Sequence, residues 1–166
     1  MANKAMRLLR ELALWLMIGV ALSAGVDFFR QPALPQNFST TSLHTLDGQP
    51  VNLTAMSEQR PLLVYVWATW CGVCRYTTPS VAALAAEGGN VMSVALRSGD
   101  NATLETWLAK KKMALPTVND ASGELARQWD VQVTPTLVVI SHGEVKSITT
   151  GWTSVWEMRL RLWLAS

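Results

Sequence analysis

Tyr65-Val66-Trp67-Ala68-Thr69-Trp70-Cys71-Gly72-Val73-Cys74 joins two kinds of local order in one stretch. Residues 62–68 form an apolar run rich in β-branched and aromatic side chains, the composition of a buried strand. The run ends in Cys-x-x-Cys where a helix is expected to begin, and these are the only two cysteines of the chain. A sulfur at a helix start faces unpaired backbone N–H groups and the positive end of the helix dipole, which favours thiolate over thiol. Arg75 adds a positive charge beside it. Cys74 follows closely enough to attack a mixed disulfide formed on Cys71 and release the bound partner. The pattern points to thiol–disulfide exchange.

Other uses of the pair are weaker. A structural disulfide over so short a separation closes almost no loop, so it constrains the unfolded chain little. Zinc needs four ligands, and only His44 and His142 are left to join the cysteines, with no local pairing. Copper(I) can be held by two thiolates, so a copper(I)-binding module using Cys71 and Cys74 stands as the alternative function.

With Trp67-x-x-Trp70-Cys71-x-x-Cys74 at a strand-to-helix junction, the chain resembles the thioredoxin superfamily. Val133-Thr134-Pro135-Thr136 is similar to that family's cis-proline loop and precedes an apolar strand over 137–140. Pro79 stands where the family's active-site helix carries its kinking proline. The resemblance implies an α/β thioredoxin fold, a central mixed sheet flanked by helices, with an N-terminal β-hairpin and one N-terminal transmembrane helix. It implies a thiol–disulfide oxidoreductase with Cys71 as nucleophile and Cys74 as resolving thiol, and no cofactor beyond that redox-active disulfide. Trp70, Thr134 and Pro135 become the substrate-binding residues. The Thr134 backbone would pair with an incoming chain as a short strand, a mode that tolerates many sequences. Trp67 is expected in the core.

Two departures from the family bear on mechanism. Thioredoxin-like reductants usually bury a carboxylate on the strand before the motif, and Tyr65 holds that position here; some anchored relatives use a glutamate three residues after the second Cys, which here is Thr77. The proton of Cys74 must then leave through water, a tyrosine hydroxyl or a carboxylate elsewhere. The dipeptide Gly72-Val73 adds no charge and no side-chain donor, so it points to neither a strong reductant nor an oxidant.

The N-terminus reads as an export segment. Lys4, Arg7 and Arg10 precede an uncharged run over 12–26, and Leu8, Leu9, Phe28 and Phe29 can extend it towards the roughly 20 residues of a membrane span. The expectation is a cytoplasmic tip and anchor over 1–29, or a cleaved signal peptide, then a linker over 30–37 with Pro32 and Pro35, then one thioredoxin-like domain over 38–166. The basic tip stays inside, which places the domain in the periplasm of a bacterium with two membranes.

Within the domain, Asp47-Gly48 marks a hairpin. Gly88-Gly89 should end the active-site helix, and Asp100 or Asn101 should cap the next one. Lys110-Lys111-Lys112 reads as the polar end of that second helix. Ser141-His142-Gly143-Glu144 joins two strands, and Ser154 to Glu157 reads as a capping box opening a last helix with Trp156, Leu160, Trp163 and Leu164 facing inward. His44 and His142 are expected at the surface.

The nearly balanced charge gives no basic stripe for nucleic acid. The anchored, periplasmic (TlpA-like) branch of the superfamily fits best, and the motifs look like those of the suppressor-of-copper-sensitivity group. That likeness implies a reductant under copper stress. Its partners would be protein thiols and disulfides, a membrane-embedded thiol reductase and the inner membrane, and the chain would be a monomer.

Overall fold

The structure, a computed structural model, describes residues 2–30, 34, 35 and 38–166, and for part of the first helix the backbone only. It divides into two compact units, Met1–Gln31 and Pro32–Ser166. The first contains helix α1, Ala2–Arg30. Among the described residues no helix is long and apolar enough to cross a membrane, so the expected transmembrane helix lacks support. Arg7 and Glu11 form an exposed i,i+4 pair. The expected linker lies outside the described residues apart from the end of α1, Leu34 and Pro35.

The second unit runs β1 (Leu43–His44), β2 (Pro50–Val51), α2 (Leu53–Ser57), β3 (Leu62–Trp67), α3 (Cys74–Ala86), β4 (Val91–Leu96), α4 (Asn101–Lys110), β5 (Thr117–Asp120), α5 (Glu124–Gln128), β6 (Thr136–Ser141), β7 (Glu144–Thr150) and α6 (Val155–Leu164). Five strands form one mixed sheet in the order β5-β4-β3-β6-β7. β3 lies at its centre, parallel to β4 and antiparallel to β6. β1 and β2 form the small hairpin expected around Asp47-Gly48, and the Leu46 N–H bonds the Thr117 carbonyl at the edge strand β5.

All six residues of β3 are buried because both of its faces are covered. Successive side chains alternate, so Leu63, Tyr65 and Trp67 join Val81 and Leu84 of α3, Leu104 of α4 and Met158 of α6. On the opposite face Leu62, Val64 and Val66 join Phe38, Leu53, Trp129 and Val138. Each such aliphatic side chain removed from water contributes roughly 1.5–3 kcal/mol, which anchors the strand that delivers the cysteines.

Helix and turn ends follow local chemistry. Gly88 takes φ +86° after α3, and the N–H groups of Gly88 and Gly89 bond the carbonyls of Ala85 and Leu84, a Schellman ending. Asp100 caps α4 by accepting the Thr103 N–H at 2.8 Å. The β6–β7 turn is His142-Gly143, both at positive φ, as a two-residue hairpin of this twist requires.

One face was misplaced from sequence. Trp156, Leu160, Trp163 and Leu164 of α6 are exposed, and α6 packs instead through Met158, with Leu162 and Ala165 at the core's margin. Both stripes have helical spacing; the smaller side chains fit against the core. The Arg159 guanidinium pairs with Glu87 at the end of α3 and sits 5.0 Å from the Trp156 ring.

Candidate active site

The two cysteines stand where β3 gives way to α3. They are joined as a disulfide, with Cα atoms 5.3 Å apart. The loop between is held from both sides: the Thr69 N–H bonds Ser98 Oγ at 3.0 Å, the Cys71 N–H bonds the Ala68 carbonyl at 3.2 Å, and the Trp70 indole N–H bonds the Arg97 carbonyl at 3.1 Å. Thus the C-terminal ends of β3 and β4 together position the motif.

The first N–H groups of a helix have no partner within it. Here Sγ of Cys71 accepts one of them, the Cys74 N–H, at 3.1 Å. The sulfur does the work of a capping oxygen, and a thiolate would accept that bond more strongly than a disulfide sulfur. Cys71 retains 9% exposure against 2% for Cys74, so the first cysteine is the one a partner can reach.

Thr134-Pro135 is the one cis peptide bond among the described residues, and it brings the Thr134 carbonyl oxygen to 3.5 Å from Cys71 Sγ. The structure therefore gathers Cys71, Cys74, Trp70, Thr134 and Pro135, as the sequence led us to expect. Trp70 is 62% exposed beside the sulfur, whereas Trp67 is fully buried.

Behind the pair, the Tyr65 hydroxyl lies 2.7 Å from Thr78 Oγ1, and Thr78 Oγ1 donates to the Cys74 carbonyl at 2.7 Å. Thr78 has one hydroxyl proton and spends it on Cys74, so Tyr65 is the donor to Thr78. Burial pushes the Tyr65 hydroxyl well above the ordinary tyrosine range. It stays protonated and cannot serve as the base that relieves Cys74 of its proton. Thr77, the other position where a carboxylate could have stood, is fully buried in α3 with its hydroxyl unpartnered.

A groove of about 400 Å³ opens on the α4 side of the disulfide, lined by both cysteines, Trp67, Trp107, Lys111 and Met113 among others. Sequence reasoning missed it. Lys110-Lys111-Lys112 is the polar helix end expected, with Lys111 as the C-cap of α4; beyond it the chain reverses through Lys112 at φ +54°, and the Met113 N–H returns to the Leu108 carbonyl. No glycine signalled that reversal. His44 and His142 are exposed and distant in the chain from the motif, and no group of three or more His, Cys, Asp or Glu among the described residues could hold a metal ion.

The AhpC/TSA family matches residues 34–148. A thioredoxin-like protein of Haemophilus influenzae is 42% identical over 146 residues, 88% of this chain and 87% of that one. The thiol:disulfide interchange protein DsbE of Pseudomonas fluorescens is 35% identical over 105 residues, 60% of this chain and 57% of that one. In fold, the chain is similar to a secreted Mycobacterium tuberculosis disulfide oxidoreductase, with a TM-score of 0.65 at 21% identity, covering 78% of this chain and 99% of that one.

Proposed function

The chain belongs to the AhpC/TSA family and is a thioredoxin-like thiol–disulfide oxidoreductase, and we propose on that premise that it reduces protein disulfides through Cys71 and Cys74. The observation that carries this reading is the double placement of Cys71 Sγ, which accepts the Cys74 N–H and abuts the Thr134 carbonyl. In the reduced protein the Cys71 thiolate attacks a substrate disulfide and one substrate thiolate leaves. The Cys74 thiolate then attacks Cys71 Sγ, expels the second substrate thiolate and leaves the Cys71–Cys74 disulfide. Two electrons pass to the substrate. The substrate chain aligns on the Thr134 backbone, with Trp70 and Pro135 at its sides.

The proton of Cys74 leaves by water in the adjoining groove, since Tyr65 is committed as a donor. A membrane-embedded thiol reductase would return the electrons.

The basic tip and uncharged run of the N-terminal segment support export to the periplasm, with the segment kept as a tether or removed as a leader. N-terminal sequencing of the protein from a membrane fraction separates the two. The likeness of Trp67 to Cys74 and of Val133 to Thr136 to the copper-sensitivity-suppressor group supports a role under copper stress. Loss of copper tolerance on deletion of the gene, restored by the intact chain but not by Cys71→Ser, would bear this out.

The reduction potential tests the direction of electron flow. A reductant equilibrates with glutathione or dithiothreitol near the thioredoxin value of about −270 mV; a value near about −120 mV would overturn that direction. The alternative, a copper(I) module, needs both sulfurs to hold copper tightly. Micromolar or weaker affinity of the reduced protein at neutral pH removes it.

A further inference from the structure

We propose that the groove on the α4 side of the disulfide selects substrates with acidic residues next to their reacting cysteine. The inference rests on the thiol-exchange reading and adds a substrate class to it. Trp107 and Met113 line the groove together with Cys71 and Cys74. Two charged residues line it, Arg75 and Lys111, and both are cations. No carboxylate lines it. The Lys111 ammonium stands over the Trp107 ring, 5.9 Å from its centroid, which holds the charge at the groove rather than letting it sweep freely. Lys110 and Lys112 flank it, both exposed.

Arg75 and Lys111 have no carboxylate partner among the described residues; Arg60 and Arg97 have none either, but they donate to the Gly88 and Ser122 carbonyls. Elsewhere in the domain, Arg127 pairs with Glu124, Lys146 with Glu144, Arg159 with Glu87 and Arg161 with Glu157. Among the described residues, no carboxylate engages Arg75, Lys110, Lys111 or Lys112. The positive potential is therefore concentrated where a substrate must approach.

Cys71 is the junction of two binding elements, since its sulfur lines the groove and also abuts the Thr134 carbonyl. Backbone pairing at Thr134 reads no side chains, so it leaves selectivity to the groove. Carboxylates flanking a substrate cysteine meet Arg75 and Lys111, and a substrate with lysines there meets like charge.

The test uses the pre-reduced full chain and two capped peptides, Glu-Glu-Cys-Glu and Lys-Lys-Cys-Lys, each as a disulfide with the uncharged leaving group 2-thiopyridine. The Cys71 thiolate attacks the peptide sulfur and expels pyridine-2-thiolate, which is followed by absorbance; Cys74 then releases the peptide thiolate. We expect the acidic peptide to react about tenfold faster at low salt, with the ratio falling towards one near 1 M salt. Arg75→Gln with Lys111→Gln should bring the low-salt ratio to within about twofold, while Arg127→Gln with Lys146→Gln, an equal change in net charge at residues outside the groove, should leave it standing. The ratio is read within each variant, so any change in thiolate reactivity cancels. A ratio near one in the native protein, or one that survives the double variant, overturns the inference. Failure of both peptides to react overturns the thiol-exchange reading instead.

Discussion

The Tyr65 hydroxyl donates a hydrogen bond to Thr78 Oγ1 across 2.7 Å, and the Thr78 hydroxyl donates in turn to the Cys74 carbonyl. A neutral relay thus occupies the strand position where related reductants bury a carboxylate. It braces the first turn of α3, which carries the resolving cysteine, without adding charge beside the sulfurs.

Alkaline stability should report this relay. Tyr65 keeps its proton in the folded protein well beyond the point at which the unfolded chain, near the ordinary value of 10.0, gives it up. Its contribution is fully present below pH 10 and is lost as pH rises, because the unfolded state then binds fewer protons. The slope from this one group is about 1.4 kcal/mol per pH unit. Denaturant unfolding between pH 9 and 11 should show that component in the native protein and lack it in Tyr65→Phe. Identical slopes in the two proteins would contradict it.

Asp100 gives the opposite sign at the acid end. Its bonds with Thr103 hold its carboxyl below the ordinary 3.8, so the stability it lends α4 is present above that value and is lost as pH falls through the folded-state titration. Carboxyl chemical shifts should place its midpoint below 3.8, and Asp100→Ala should lower the melting temperature at pH 7 but not at pH 2.

Truncation in the central strand should be costly. Leu63→Ala removes a buried side chain of the central strand that packs in the cluster with Val81, Leu84 and Met158, and a loss of about 2–5 kcal/mol in urea unfolding is expected. A loss under 1 kcal/mol would mean that Leu63 is not packed as described.

Gly88→Ala should cost about 1 kcal/mol, because alanine is disfavoured at φ +86° even though the space beside it is open. Exchange activity should be retained, since the Schellman turn lies at the far end of α3 from the cysteines.

Most of the domain could be read from local signals that the tertiary structure respects. The apolar run before Cys71 had to be a central strand, since both of its alternating faces are hydrophobic. Asp100, Gly88-Gly89 and His142-Gly143 mark their boundaries by chemistry that acts within a few residues. Trp70, Cys71, Cys74, Thr134 and Pro135 were named from motif order, and the fold sets the Thr134 carbonyl against Cys71 Sγ. The α6 stripe failed because Trp156, Leu160, Trp163 and Leu164 share helical spacing with a second stripe through Met158 and Leu162, and periodicity alone does not choose between two apolar faces. The groove role of Lys111 was missed because α4 sets it one turn beyond Trp107, over that ring, and helical period alone does not say which side of the cysteines α4 lies on. The membrane span expected over 1–29 finds no support among the described residues.

The most direct test of Cys71 as nucleophile is trapping. Cys74→Ser and Cys71→Ser proteins, each reduced, are mixed with a disulfide-bonded protein substrate, and the covalent adducts are counted by mass spectrometry after thiol blocking. Cys74→Ser should accumulate a mixed disulfide through Cys71 because nothing remains to resolve it, and Cys71→Ser should accumulate almost none. Equal trapping by the two variants, or trapping through Cys74 alone, would contradict the assignment.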